Sequence, residues 1–221
     1  MIRIETANIL DLNHTIALEI FHSKKYPFEI LPEIGSFIKE LLKSLDMQKF
    51  EDRGNGVFIA KSAAVADSAY ISGPCIIDEN AEIRHCAFIR GNAIVGKSAV
   101  VGNSCEVKNS ILFDCVQVPH YNYVGDSVLG YRAHMGAGAV TSNVKSDKSL
   151  VSINVDGKKV ETNLKKFGAI LGDFAEIGCN TVLNPGTVIG RHTNVYPLSS
   201  VRGYVAENSI YKNRNEIVEK Y

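Results

Sequence analysis

One histidine lies in surroundings suited to chemistry. His120 occurs in the segment V-P-H-Y-N-Y, residues 118–123, where Tyr121 and Tyr123 follow it. The run Met135-Gly-Ala-Gly138 comes next, and its missing side chains let another molecule approach the backbone closely. Histidine as a residue type changes protonation near neutral pH, so it can accept a proton from a nucleophile. We therefore take His120 as a candidate general base, with a solvated surface histidine as the alternative.

Two cations form a second candidate site. Arg90 and Lys108 each follow an aliphatic residue by one position, and they are eighteen residues apart. In the repeat described next, that spacing places them directly above one another. Two like charges at that separation repel unless an anion lies between them, and a phosphate suits the planar fork of Arg and the point charge of Lys. The alternative is a pair of solvated surface cations.

A six-residue period in the sequence determines where both candidate sites lie. From residue 59 to residue 107 every sixth residue is aliphatic, and a small residue stands four positions after each of the first eight. Neither the helical period of 3.6 nor the strand period of 2 gives this pattern, whereas a hexapeptide period is typical of a parallel β-helix. Three hexapeptides make one triangular coil, with these aliphatic residues stacked inside: Ile59, Val65, Ile71, Ile77, Ile83, Ile89, Val95, Val101 and Val107.

The period changes further along the chain. It shortens by one residue twice, giving Leu112, Val118, Val124, Leu129, Met135 and Thr141, and it resumes at Leu171. Residues 142–170 interrupt it, and within them Asp156-Gly157 between two β-type segments predicts a type I′ hairpin. We therefore predict a β-helix over 56–205 with an insertion loop at 142–170, followed by a C-terminal tail at 206–221.

Residues 1–55 lie outside the period. Apolar residues at helical spacing from Leu12 to Phe21 and from Ile34 to Leu45 predict two short helices. Because a solenoid needs its ends covered, we expect these helices to form an N-terminal cap over the first coil. Asp52 to Gly56 predicts the turn that enters the β-helix.

Composition limits the class of protein. The 221 residues include 24 basic and 24 acidic ones, so no net charge attracts nucleic acid or an anionic membrane. The first ten residues lack the layout of a signal peptide, and no apolar stretch is long enough to span a membrane. Five cysteines form no C-x-x-C pair, and Cys75 and Cys105 fall in the small-residue column, which predicts buried thiols. We expect a cytoplasmic protein with no nucleic-acid or membrane partner.

Four segments together resemble a known family. E-V-K-N-S (106–110), V-P-H-Y-N-Y-V-G-D (118–126), M-G-A-G-A-V-T-S-N (135–143) and K-F-G-A-I-L-G-D (166–173) occur in this order. They resemble the acetyltransferase half of the bifunctional enzymes of UDP-N-acetylglucosamine synthesis, and among them the archaeal sugar-1-phosphate nucleotidylyltransferase/acetyltransferase branch. The resemblance implies an all-β solenoid, a left-handed parallel β-helix, which assembles as a homotrimer with active sites between subunits. It also implies acetyl-CoA as the acyl donor, with no metal required.

The resemblance also assigns roles to residues. His120 resembles the general base, Tyr123 a substrate-binding tyrosine, and Arg90 and Lys108 the residues that grip a sugar phosphate. Ala137 and Asn143 resemble catalytic residues at the thioester and the amine. Lys166 resembles a substrate-contacting lysine, and Cys179 falls among the expected cofactor-binding residues with Ala137 and Asn143.

Two positions depart from the family pattern. His134 replaces an asparagine that contacts the sugar in the bacterial enzymes, and the inserted loop offers Lys148 and Ser152 where the archaeal branch carries two lysines. We keep His134 and Lys148 as candidate substrate-binding residues. The family's nucleotidyltransferase domain needs a sizeable α/β fold, which 55 residues cannot build, so we expect no uridylylation by this chain.

Three functions follow from these residues. The leading hypothesis is N-acetylation of an amino-sugar 1-phosphate, resembling glucosamine 1-phosphate, by acetyl-CoA in nucleotide-sugar synthesis. The second is a non-catalytic or weakly active trimeric β-helix that binds sugar phosphate or scaffolds a separate sugar nucleotidyltransferase. The third, a zinc carbonic anhydrase on the same helix, needs three converging histidines, and His85, His120 and His134 lack the expected spacing.

Overall fold

The computed structural model describes residues 3–220, and most of them form a left-handed parallel β-helix. Successive strands turn at corners, and strands from successive coils pair in parallel, which produces a prism with three faces. The predicted fold class is confirmed. We name the faces in the order in which the chain reaches them.

The first face contains Val57–Ala60, Cys75–Ile77, Ala93–Val95, the second halves of Glu106–Leu112 and Tyr123–Leu129, Ala169–Leu171, Thr187–Ile189 and Tyr204–Val205. The second face contains Ala64–Val65, Glu82–Ile83, Val100–Asn103, Gln117–His120, His134–Met135, Glu176–Ile177, Asn194–Val195 and Ser209–Asn213. The third face contains Tyr70–Ile71, Phe88–Ile89, the first halves of Glu106–Leu112 and Tyr123–Leu129, Val140–Thr141, Val182–Leu183 and Ser200–Val201.

The six-residue column forms the core of this prism. Ile77, Val95 and Leu112 pair in one ladder, and each is 0% exposed. Near the open N-terminal end the column is less protected, because Val65 is 37% exposed. Where the period loses one residue, the chain passes from the third face to the first without interrupting the strand. Glu106–Leu112 is therefore a single strand that belongs to both faces.

Of the two helices predicted in the N-terminal segment, only the second is present. Leu12 to Phe21 is not one helix, since it forms two 3₁₀ turns separated by an extended residue at Thr15. The second predicted helix is confirmed as Ile34–Leu41, continued by a 3₁₀ turn. Helical elements of the segment are Thr6–Ile9 and Ile34–Leu41 as α-helices, and Leu12–His14, Leu18–Phe21, Pro27–Ile30 and Leu42–Ser44 as 3₁₀ helices.

The position of this segment corrects the expectation of a cap over the first coil. Residues 3–45, which we call the N-terminal cover, lie along the outer side of the first face. Phe21 packs edge-on against Phe113, and Phe28 lies 5.6 Å from Phe167, ring centre to ring centre. Asp173, far along the helix, accepts the Asp11 N–H at 2.7 Å.

The physical reason lies in the residues that point outward from the first face. They are aliphatic and buried, and their burial requires a covering segment: Ile76, Ile94, Ile111, Val128, Ile170 and Val188. Burying such a side chain contributes about 1.5–3 kcal/mol, so an uncovered first face would expose a large apolar surface. The same positions on the other two faces are mostly polar or exposed.

Three short β pairs complete the structure. Phe50–Asp52 pairs antiparallel with Val57–Ala60 around the predicted turn at 52–56, and Glu216–Glu219 pairs antiparallel with the last strand of the second face. The inserted hairpin joins Ser152–Val155 to Lys158–Glu161. Asp156 and Gly157 have φ values of 49° and 80°, as a type I′ turn requires, so this prediction is confirmed. No helix within residues 3–220 has the length and apolarity to cross a membrane.

Candidate active site

His120 lies at the corner between the second and third faces. It ends the strand Gln117–His120, and Tyr123 begins the next strand after a turn. The imidazole is exposed and has no hydrogen-bond partner among residues 3–220. The candidate base is therefore presented to solvent on an outer edge of the helix, where a ligand could reach it.

Asn122 holds the turn that carries His120. Its side chain, 2% exposed, points into the corner, where Oδ1 accepts the His120 N–H at 3.0 Å. Its Nδ2 donates to the carbonyls of Gly136 and Ala139 on the next coil, at 2.8 and 3.0 Å. Sequence reasoning missed Asn122, although a polar residue in the small-residue column is a signal that could have found it.

The Ala137 turn stacks directly on the His120 turn. The Gly138 N–H donates to the His120 carbonyl at 3.0 Å, and Asn180 N–H donates to the Ala137 carbonyl at 2.8 Å. The Ala137 N–H makes no hydrogen bond within the described residues, so it remains available to a ligand. Cys179 is exposed one coil further on, in line with Ala137.

Arg90 and Lys108 stand on successive coils as the spacing predicts, since Ile89 pairs with Val107. Each cation already contacts a carboxylate. Arg90 Nη1 lies 2.6 Å from Glu106 Oε1, and Lys108 Nζ lies 2.9 Å from Asp126 Oδ2. Sequence reasoning placed a bound anion between the cations, whereas the chain supplies its own counter-charges.

The two ion pairs differ in exposure. The Arg90 and Glu106 side chains are 45% and 31% exposed, so this pair is open to exchange with a dissolved anion. The Lys108 and Asp126 side chains are only 21% and 5% exposed, so water is largely kept from that pair. Arg90 is therefore the cation whose partner a ligand phosphate can more readily replace.

Tyr123 and Asn143 lie beside the buried pair. Asn143 Nδ2 donates to Asp126 Oδ2 and, at 3.3 Å, to the Tyr123 hydroxyl. Burial raises the pKa of the Tyr123 hydroxyl, which therefore stays protonated at neutral pH. The Tyr123 ring lies over Gly125 so closely that any side chain at residue 125 would collide with it. The structure thus brings Lys108, Tyr123 and Asn143 together around the Asp126 carboxylate.

Two candidate lysines, Lys166 and Lys148, differ in their position relative to this group. Lys166 is exposed and adjoins Phe167, whose N–H donates to the Asn143 carbonyl at 2.9 Å. Lys148 is exposed on the inserted loop, and its side chain bonds to none of residues 3–220. Within one chain, the structure therefore places Lys166 beside the site and leaves Lys148 outside it.

His134 lies on the second face, away from the His120 turn. It pairs with Gln117, and its Nδ1 lies 2.8 Å from Glu176 Oε2. It begins the strand His134–Met135, whereas Ala137 lies in the turn that follows this strand. Among residues 3–220 no three His, Cys, Asp or Glu side chains are grouped to hold a metal ion, so one chain lacks the histidine cluster of the zinc alternative.

Comparisons with known proteins bear on this arrangement. Residues 71–165 match the family model described as the GMPPB C-terminal domain. The chain is 33% identical over 105 residues to the bifunctional sugar-1-phosphate nucleotidylyltransferase/acetyltransferase of Sulfurisphaera tokodaii, covering 48% of this chain and 26% of that protein. It is 32% identical over 111 residues to the bifunctional protein GlmU of Methanococcus maripaludis, covering 50% of this chain and 27% of that protein.

The chain therefore spans about a quarter of the length of these curated relatives. Among solved structures, a mutant of AntD, an N-acyltransferase from Bacillus cereus in complex with dTDP-4-amino-4,6-dideoxyglucose and coenzyme A, matches at 17% identity and a TM-score of 0.40, covering 80% of this chain and 93% of that one. The resemblance predicted from the motifs is confirmed: this chain carries a hexapeptide-repeat domain similar to those of the GlmU-type sugar-1-phosphate nucleotidylyltransferase/acetyltransferase proteins.

Proposed function

We propose that this chain transfers an acetyl group from acetyl-CoA to the amine of an amino-sugar 1-phosphate, within nucleotide-sugar synthesis. The observation that carries the proposal is the stacking of the His120 turn on the Ala137 turn, fixed by the buried Asn122 side chain. His120 and the Ala137 N–H, which has no hydrogen-bond partner among residues 3–220, then lie on successive coils at the same corner of the helix. The sequence relatives include a bifunctional sugar-1-phosphate nucleotidylyltransferase/acetyltransferase, which favours the same reaction.

These groups can carry out each proton transfer that the reaction requires. The substrate nitrogen attacks the thioester carbon while His120 accepts a proton from it. The Ala137 N–H donates to the oxygen of the tetrahedral intermediate, which carries the negative charge. As the intermediate collapses, the carbon–sulfur bond breaks, and the proton held by His120 passes to the departing thiolate. The products are the amide and free coenzyme A, and no metal takes part.

The third face, which begins after the His120 corner, would hold the substrate. Arg90 exchanges Glu106 for the phosphate, and Lys108 adds a second charge. Tyr123 and Lys166 border the sugar, and Asn143 faces the amine. Acetyl-CoA would follow the corner past Ala137 and Cys179, which are neighbours on successive coils. His134 and Lys148 remain outside this arrangement in a single chain.

A thiol-release assay tests the proposal. With acetyl-CoA and a panel of amino-sugar 1-phosphates, we expect coenzyme A to appear only when the amine is present and to be stoichiometric with amide. The matching N-acetylated sugar 1-phosphates serve as controls, because they offer the phosphate without a nucleophile. Absence of thiol release with every amine would contradict the proposed reaction.

The pairing of both cations with carboxylates favours a second, non-catalytic function, since a site with neutralised cations can persist without a substrate. In that case the β-helix binds sugar phosphate or scaffolds a separate sugar nucleotidyltransferase. An inert protein that still binds an amino-sugar 1-phosphate by calorimetry would support this function over the acetyltransferase.

We further propose that the chain is a homotrimer. The His120 imidazole is exposed and the Ala137 turn beside it lies on an outer edge, so one chain provides only one wall of a site. Light scattering should report about three times the chain mass of 24.2 kDa. A monomer at micromolar concentration would contradict both the trimer and a site built between subunits.

A further inference from the structure

Asp126 occupies the centre of the hydrogen-bonded group at the third face. Its carboxylate is nearly buried and makes three side-chain contacts. Oδ2 accepts from Lys108 Nζ at 2.9 Å and from Asn143 Nδ2, and Oδ1 accepts from Asn109 Nδ2 at 2.9 Å. The motif analysis assigned no role to either Asp126 or Asn109.

An ionised carboxylate only accepts hydrogen bonds, and this fixes the orientation of Asn143. The Asn143 amide must turn its NH₂ group toward Asp126, and the Tyr123 hydroxyl accepts from the same nitrogen. Oδ1 of Asn143 then points away, and it has no partner among the described residues. The side chain therefore offers an acceptor, rather than a donor, outside the carboxylate cluster.

The N-terminal cover holds the carboxylate in turn. Asn109 Nδ2 donates both to Asp126 Oδ1 and to the Leu31 carbonyl, at 3.2 Å. Leu31 belongs to the cover, and Asn109 has a φ of +47° at the shortened corner. Two hydrogen bonds, both donated by Asn109, thus connect a backbone carbonyl of residues 3–45 to the carboxylate that contacts Lys108 and Asn143.

We propose that Asp126 is a positioning residue that orients the Asn143 amide with its oxygen toward the substrate amine and restrains Lys108 beside it. The inference rests on the proposed function, because the partner that it assigns to the Asn143 oxygen is an N–H group of the nucleophilic amine. An amine that donates a hydrogen bond to the Asn143 oxygen keeps its lone pair directed elsewhere, toward the thioester carbon. A flipped amide would donate its N–H to the lone pair of the amine and so occupy the electrons that must attack the thioester.

The test exchanges the hydrogen-bonding character of the two residues. In Asp126→Asn the new amide can donate to Asn143, which frees Asn143 to flip, and we expect kcat for the amine to fall about 100-fold, as for a misplaced reacting group. In the double variant Asp126→Asn with Asn143→Asp, residue 143 again turns an acceptor to the site. We expect the double variant to be about tenfold more active than Asp126→Asn. If the two changes only damaged packing, their losses of activity would add instead. The control is Asp67→Asn, which removes an exposed carboxylate.

A second measurement does not depend on activity. In ¹⁵N spectra, the two Asn143 side-chain protons of the wild-type protein should exchange slowly with solvent and move when Asp126→Asn is made. A wild-type protein that releases thiol while Asp126→Asn keeps its full kcat would overturn the inference and leave the proposed function standing. A wild-type protein inert toward every amine would overturn the proposed function, and the spectra alone would then decide the orientation. Freely exchanging Asn143 protons in the wild type would overturn the inference even if Asp126→Asn did not fold.

Discussion

His120→Ala should lower kcat for acetyl transfer by roughly 10²–10⁴, the usual contribution of a general base. The imidazole is exposed and hydrogen-bonds to none of residues 3–220, so its removal leaves the fold intact. The Asn122 side chain holds the turn through the backbone N–H of residue 120, which alanine retains. Steady-state kinetics with saturating acetyl-CoA would measure the change. Recovery of activity at high pH is expected, because a free amine needs no base.

The matched contrast is Arg90→Ala, which should act on binding. The Arg90 guanidinium is proposed to hold the phosphate equally in the ground and transition states, so its loss should raise KM with little change in kcat. Lys108→Ala should also raise KM, but it leaves the Asp126 carboxylate without its cation and should cost stability as well. If His120→Ala changed KM while kcat stayed constant, the histidine would be a binding residue and the assigned mechanism would be wrong.

The prism could be predicted from sequence because its core depends on local spacing. The stacking of Ile59, Ile77 and Val95 could be predicted without knowledge of tertiary structure, since the six-residue period alone places them on one corner of successive coils. The position of the N-terminal cover depends on a second set of residues. Its partners are the outward aliphatic residues of the first face, such as Ile94 and Ile111, which stand one position before the inward ones. That second column is visible in the sequence, and it indicates a covered face.

The site was predictable where chemistry and spacing coincide. Arg90 and Lys108 lie eighteen residues apart and do stand on successive coils. Their carboxylate partners were not predicted, because Glu106 and Asp126 reach them only through side-chain conformation and through a corner that lost one residue. Likewise His120 was found by type, whereas Asn122 acts from inside the corner, where most coils carry alanine.

Val95→Asp should abolish soluble folding. Val95 is 0% exposed and pairs with Ile77 and Leu112 in the first face, so the new carboxylate would be buried beside apolar residues of both adjacent coils. The exchange loses the burial of the valine, about 1.5–3 kcal/mol, and adds an unpartnered polar group in the core. A buried charge without a partner costs several kcal/mol more, and a whole domain is stable by only about 5–15 kcal/mol. Soluble yield and the β-sheet circular dichroism signal are the measurements.

Val182→Asp is the matched control, because it makes the same chemical change on the outer side of the third face. Val182 is 37% exposed, and its strand partners on the adjacent coils are Val140 and Ser200. A carboxylate there remains hydrated, so we expect a soluble chain with the wild-type spectrum. The difference between two valine-to-aspartate changes then reports which side of the strand faces the core. Equal tolerance of both changes would refute the inward register from which the whole prism, and with it the placement of His120, follows.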